Sequence, residues 1–436
     1  MNENSKKVMK VIEEKLGPIA ERIGGNKHLM AIRDGFISAM PFLIVGSFLL
    51  IFAYPPFAEN TTFSFGKAWL GFAEKYSDKI LLPFNMTMGI MAIFVTISTA
   101  YSLLEAYKLD RLTGVLLALM GFLLISAPAQ NGQLGITFLG AKGLFAGIII
   151  ALFSVEVFRF CKEKRLTIKL PSGVPPRIAK SFELLIPVLL LIIIIYPLSL
   201  VSQNLYGKLI PELIMNMVSP LVKVTDSLFG MLFIIFLANT LWFMGIHVSV
   251  ITGVLNVFLY ANAALNQEAL VAGEKMTKIF TDPFWSAYVT LGGAGATLSL
   301  TILFLFSRAK HLKTIGKLSI VPSIFNINEP ILFGTPLTMN PIFFIPLVLA
   351  PMVNATIAYF ATKIGMIPML YALPPWTVPA PVLAMWASGW NIKAFLFVIF
   401  LMVISGIIWY PFMKVYEKQL LKQETADEEE VSFDDL

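Results

Sequence analysis

Asn326-Ile327-Asn328-Glu329-Pro330 interrupts the apolar second half of this chain, and its reading decides the fold. Glu329 is the only carboxylate between Asp282 and Glu417. A charge at membrane depth costs about 2.5–3.5 kcal/mol on insertion scales, so a carboxylate there needs a partner, a water-filled cavity or a function. Pro330 pushes Glu329 away from the α region, and the two asparagines offer polar groups to unsatisfied backbone. The flanking apolar runs, 318–325 and 331–337, are short, and the second is broken by Gly334 and Pro336. A span needs about 20 apolar residues, so neither run crosses a bilayer alone. The stretch therefore reads as a re-entrant hairpin with a buried carboxylate at its tip, tolerated where it lines a cavity.

Working outward, the chain of 436 residues is 57% hydrophobic and 14% charged, with a mean hydropathy of +0.77. A soluble domain carries nearer 25% charge, so the composition specifies a polytopic membrane protein. The net charge of +6 does not point to nucleic acid, because the basic residues fall at the ends of apolar segments. One cysteine, Cys161, excludes a disulfide framework and a cysteine metal cluster; beside Lys162 it reads as packing rather than as a nucleophile. The three histidines are scattered and no Gly-rich segment ends in Gly-Lys-Ser/Thr, so the sequence suggests neither a metal centre nor an ATPase, and no cofactor is expected. Asn60-Thr61-Thr62 matches a glycosylation acceptor by a pattern short enough to arise by chance.

The polar N-terminus shows no cleavable signal peptide. Within residues 1–30, Val8, Ile12, Leu16 and Ile19 recur at helical spacing among lysines, which fits either a helix lying on an anionic leaflet or a cytoplasmic tail helix. Spans are expected at 31–53, 83–104, 112–126, 141–161 and 182–202, followed by a proline-broken interfacial helix at 203–225. The apolar run 228–260 is too long for one span and is split at Gly245-Ile246-His247, into 228–244 and 247–262. Further spans follow at 283–306, 341–363 and 392–414, and then an acidic cytoplasmic tail at 415–436, read as disordered over 424–435. Residues 364–390 hold Pro368, Pro374, Pro375, Pro379 and Pro381 and read as a second re-entrant segment. The fold class is thus all-α, with about ten transmembrane helices, two re-entrant hairpins and amphipathic interfacial helices. The expected division is a first membrane domain at 31–202 and a second at 203–414. Segments 1–30 and 162–181 are rich in Lys and Arg while 127–140 has none, which predicts that both termini are cytoplasmic.

Two broken apolar elements in one half of a transporter point to its binding site. His247, the one histidine expected within the membrane, either caps a helix break or holds a substrate hydroxyl; Glu329 in the same half favours the second reading. Trp242, Trp376, Trp386 and Trp390 are either interfacial anchors or faces for stacking on sugar rings. Trp242 and Trp386 suit stacking best and Trp390 suits anchoring. Asn131, in Ala127-Pro128-Ala129-Gln130-Asn131-Gly132, reads equally as a turn residue.

The Asn328-Glu329-Pro330 tip with Ile331-Leu332-Phe333-Gly334, the Gly245-Ile246-His247 break, and Leu29–Pro41 with Arg33-Asp34-Gly35 resemble the lactose/cellobiose/diacetylchitobiose branch of the phosphotransferase-system sugar permeases, the membrane IIC components. The resemblance covers nearly the whole chain. It implies a homodimer in a bacterial plasma membrane, with the first domain forming the dimer contact and the second holding a β-linked disaccharide. It implies phosphorylation of that sugar by a phosphocysteine on a cytoplasmic IIB protein, itself charged by IIA, so the chain acts within a phosphotransferase complex. Glu329 and His247 would form the catalytic pair, with Asn328, Asn131, Trp386, Trp242 and Trp376 completing the sugar site. No IIB-like segment follows the last expected span, so the donor would act in trans. An ion-coupled secondary transporter using Glu329 as its coupling site is the alternative.

Overall fold

The structure is a computed structural model and describes residues 25–434 apart from 58–59, 131, 167, 169–181, 183 and 336; the side chains of 129, 130, 249, 250 and 425–434 are also outside the description. The expected N-terminal amphipathic helix and most of the basic 162–181 connection therefore fall outside it. Among the described residues the fold is all-α, interrupted by one two-residue antiparallel hairpin in which Ala129 pairs with Leu134. Six helices are long and apolar enough to cross a membrane, or eight if two bent pairs each count as one span. The chain is an all-α polytopic membrane protein.

Two compact units divide the chain. The first takes Arg22–Lys223 together with Ile251–Met276; the second takes Val224–Val250 and Thr277–Leu436. The sequence reading puts the boundary at 202/203 and keeps 251–276 in the later part. In the structure that segment belongs with the first unit because its helix carries side chains that pack there. Tyr260 stacks on Phe36 at 5.7 Å, Phe258 meets Phe145 at 5.6 Å, and the Glu268 carboxylate accepts the Ala141 N–H at 2.9 Å.

In the first unit, α1 (Lys27–Ala53) begins at Asn26, whose side chain accepts from the N–H groups of His28 and Leu29, satisfying two donors that a helix start leaves open. Then come α2 (Ser64–Asn85), α3 (Met91–Ala106), α4 (Arg111–Ser126), α5 (Leu144–Glu163) and α6 (Leu185–Tyr206). Small residues let these helices approach closely, as in other membrane bundles. A Cβ on Gly35 would lie 2.4 Å from the Thr99 hydroxyl, and one on Gly147 the same distance from that of Thr96. The core is Ala92, Leu103, Leu117, Phe122, Val155 and their neighbours.

The span expected at 83–104 needs correction. Helix α2 occupies 64–85, and the next helix begins only at Met91, after a 3₁₀ turn at Met88–Ile90. Helix α2 carries Lys67, Glu74, Lys75, Asp78 and Lys79 and buries only Gly66, Ala73 and Phe84. Those charges hide it from a hydropathy reading.

Helix α7 (Ile210–Thr225) is continuous through Pro220, and α8 (Leu228–Phe243) follows. Helix α9 (Ser249–Val271) runs well past the expected end at 262. In the second unit, the span expected at 283–306 is broken. A short turn (Asp282–Phe284) widens into a π turn (Trp285–Val289), and an irregular strip at 290–297 precedes α10 (Leu298–Leu305), with a 54° bend overall. Gly292, Gly293 and Gly295 all have positive φ, conformations in which glycine carries no Cβ penalty.

The expected hairpin is formed by α11 (Lys310–Ile324) and the short α12 (Glu329–Gly334); α13 (Pro341–Lys363) follows. Helix α11 takes in Lys310, Lys313 and Lys317, so this basic stretch is helical and not a loop. Within 364–390 the prolines allow only α14 (Ala380–Ala387), as the sequence implies.

Helix α15 (Ile392–Asp434) continues through 424–434, where disorder was expected. Its Lys, Gln, Glu and Leu residues favour helix, and two of its glutamates have partners. Glu417, 4% exposed, accepts from the Ser307 hydroxyl at 2.6 Å and the Arg308 N–H at 2.8 Å, while Glu424 accepts from the N–H groups of Lys310 and His311. The start of α11 is thereby anchored to α15, and its other end carries the hairpin tip. Glu417→Ala leaves these donors unsatisfied at a cost of about 1–3 kcal/mol. A fall in the apparent unfolding midpoint in detergent is expected, against no change for the exposed Gln419→Ala.

Candidate functional site

The tip is built from a helix that stops in a defined way. At the end of α11 the Ile327 N–H donates to the Pro322 carbonyl at 3.0 Å and the Asn326 N–H to that of Ser323 at 3.1 Å, with Asn326 left-handed at φ 63°. This is a Schellman cap, and asparagine is the residue that most often replaces glycine at its left-handed position. Helix α8 ends the same way. Ile246 N–H donates to Leu241 and Gly245 N–H to Trp242, with Gly245 at φ 75°. Each candidate catalytic residue therefore follows a helix break of one type: His247 two residues after Gly245, and Glu329 three after Asn326.

Both breaks rest on the glycine-rich strip. Asn326 is 8% exposed; its amide nitrogen donates to the carbonyls of Trp376 (2.7 Å) and Val378 (3.0 Å), and its oxygen accepts from Gly292 N–H (3.0 Å). Asn328 donates to the Ala294 carbonyl (2.7 Å) and the Thr297 hydroxyl (2.8 Å). From α8, Asn239 accepts the Gly295 N–H at 2.8 Å, and from α15 the Trp409 indole donates to the Gly295 carbonyl at 3.1 Å. The Met339 N–H also donates to the Phe243 carbonyl at 2.8 Å, joining the segment after the hairpin to the end of α8. Four backbone groups of a broken helix are thus satisfied by side chains from three other elements, which is how irregular backbone survives inside a membrane protein.

Glu329 occupies the first position of α12, and its side chain is exposed. Among the described residues its carboxylate makes no ion pair or hydrogen bond. The sequence reading expects this carboxylate to be buried; the structure buries Asn326 and Asn328 and presents Glu329 outward. The reason is local. Between them the asparagines both donate to and accept from neighbouring backbone, whereas a carboxylate has only acceptors. Asn328, expected among the sugar contacts, spends both amide N–H groups on the strip.

His247 is exposed, and the Trp242 ring packs against it edge-on at 4.8 Å. Trp242 itself is 7% exposed, so it braces the imidazole and leaves little face for a sugar. Trp386 is half-buried, with its ring parallel to that of Trp390 at 6.3 Å. Trp376 is 47% exposed, and its carbonyl is one of the Asn326 partners. Asn131 lies outside the described residues. Two apolar cavities of about 410 and 270 Å³, lined by residues such as Leu116 and Leu124 or Leu232 and Met352, hold none of the candidate side chains. Sequence reasoning missed the strip and Asn239, although three glycines within Gly292–Gly295 were a breaker signal inside an apparent span.

The family described as "Phosphotransferase system, EIIC" matches residues 33–351, which include the strip, His247 and the whole tip. The chain belongs to the phosphotransferase-system EIIC family. This EIIC is 39% identical over 429 residues to the lactose-specific EIICB component of Staphylococcus aureus (strain COL), covering 95% of this chain and 73% of that protein. It is 35% identical to the lichenan permease IIC component of Bacillus subtilis (strain 168), covering 96% and 95% respectively. Its fold matches the crystal structure of the transporter ChbC, the IIC component of the N,N'-diacetylchitobiose-specific phosphotransferase system. That match has a TM-score of 0.87 at 32% identity and covers 95% of this chain and 99% of ChbC. The EIIC is accordingly a multi-pass sugar permease of the lactose/cellobiose/chitobiose type.

Proposed function

We propose that this EIIC binds a β-linked disaccharide of the diacetylchitobiose or cellobiose type and presents one of its hydroxyls to a phosphocysteine on a IIB partner, charged in turn by IIA. The observation that carries the reading is the exposed Glu329 carboxylate, without an ion pair among the described residues, on a tip held by two buried asparagines. An unpaired acid on a rigid support is suited to receive a hydroxyl. In the transfer, the hydroxyl oxygen forms a bond to phosphorus as the S–P bond breaks. The thiolate leaves, and the hydroxyl proton passes to Glu329, with the His247 imidazole as the second group on the same oxygen. Trp386 and Trp376 supply faces for the sugar rings. The first unit provides the homodimer contact, both termini are cytoplasmic, and the membrane is a bacterial plasma membrane.

Proteoliposomes test this directly. Disaccharide should enter and appear as sugar phosphate only when phosphorylated IIB is supplied. Accumulation driven by a proton or sodium gradient alone rejects the reading in favour of an ion-coupled carrier. His247→Ala is expected to lower the rate of transfer about 10- to 100-fold, measured as sugar phosphate formed per folded protein. Substrate quenching of tryptophan fluorescence should disappear in Trp386→Phe; retained quenching removes that residue from the site.

A further inference from the structure

We propose that Asn326 is a positioning residue of the acceptor site, tying the Glu329 hairpin to the proline-rich segment so that carboxylate and tryptophans keep one register. The inference rests on the reading of Glu329 as the group that receives the sugar hydroxyl. Its own support is the choice of residue at the helix end. A left-handed cap needs only glycine, and the parallel break before His247 uses Gly245, around which nothing lies within 4 Å of a would-be Cβ. At Asn326 the side chain instead fills three hydrogen-bonding roles: both amide N–H groups on Trp376 and Val378, and the oxygen on Gly292. These partners come from two segments that are 34 and 50 residues away in sequence. An asparagine that served the turn alone would need none of them.

The lever to the carboxylate is short. Asn326 fixes the turn, Asn328 fixes the next backbone unit on Ala294 and Thr297, and Glu329 is the first residue of α12 beyond them. The Trp376 carbonyl places the same anchor at the start of the segment that leads into α14 and Trp386. Releasing the anchor lets the acid and the aromatic faces shift relative to each other. A misplacement of about 1 Å costs on the order of 100-fold in a reaction that depends on alignment. Stacking on the sugar tolerates such a shift far better.

The test uses full-length Asn326→Gly, Asn326→Asp and Asn326→Ala in proteoliposomes with phosphorylated IIB and the disaccharide that wild type binds best. Titration of binding sites gives the folded fraction. Asn326→Gly keeps the left-handed turn and is expected to lose about 10-fold or more in kcat per folded site, with KM and sugar affinity within about threefold of wild type. Asn326→Asp turns a carboxylate oxygen toward two carbonyls and is expected to be slower still. Hydrogen exchange at the Gly292 amide, read by mass spectrometry in detergent, should rise in Asn326→Gly, and this holds even if Asn326→Asp does not fold. A Gly variant with wild-type kcat and unchanged Gly292 exchange, with only Asn326→Ala impaired, overturns the proposal and leaves a turn residue. Wild type that transfers nothing to any β-disaccharide instead removes the functional reading, and the inference with it.

Discussion

Glu329→Gln is expected to bind sugar weakly and to form sugar phosphate at least about 100-fold more slowly than wild type, while folding normally. The amide matches the carboxylate in size and can still hydrogen-bond, so what is lost is the negative charge and the ability to take a proton. Stability should not change, because the Glu329 side chain is exposed and makes no ion pair among the described residues. That separation makes the variant decisive: a membrane carboxylate kept for structure would lower the unfolding midpoint when neutralised. Sugar phosphate production at the wild-type rate in folded Glu329→Gln protein, assayed with phosphorylated IIB, would remove the carboxylate from the chemistry.

Gly293→Ala is expected to do the opposite, damaging the fold first and activity with it. Gly293 has φ 105° and ψ −171°, a backbone region that essentially only glycine occupies. A Cβ there would stand 2.3 Å from Cγ of Asn328, which is buried and donates two hydrogen bonds to the strip. The substitution therefore adds about 1–3 kcal/mol of backbone strain and displaces a buried amide whose lost bonds cost about as much again. The expected result is a large drop in the apparent unfolding midpoint and in the yield of monodisperse protein. Gly71→Ala is the control: nothing lies within 4 Å of a Cβ there, and alanine should stabilise its helix by up to about 1 kcal/mol. A wild-type midpoint for Gly293→Ala would mean that the strip can rearrange and that the tip is not rigidly held.

Sequence alone determined the membrane class, the hairpin and its carboxylate, the break before His247 and the absence of a continuous helix across the prolines of 364–390. Each is a local consequence of composition, of a lone charge in apolar surroundings, or of a residue that cannot continue a helix. The asparagines of the tip were also legible as groups for unsatisfied backbone. Their targets were not, because those lie on segments brought alongside only by the fold. The glycines at 292–295 signalled a break in the apparent span at 283–306, but tertiary structure alone decided which groups satisfy it, that Asn326 and Asn328 are buried while Glu329 points outward, and that Trp242 braces His247. Hydropathy records how much a segment gains by leaving water. It does not record which backbone groups a broken helix leaves open, and satisfying those groups is what sets the candidate site in place.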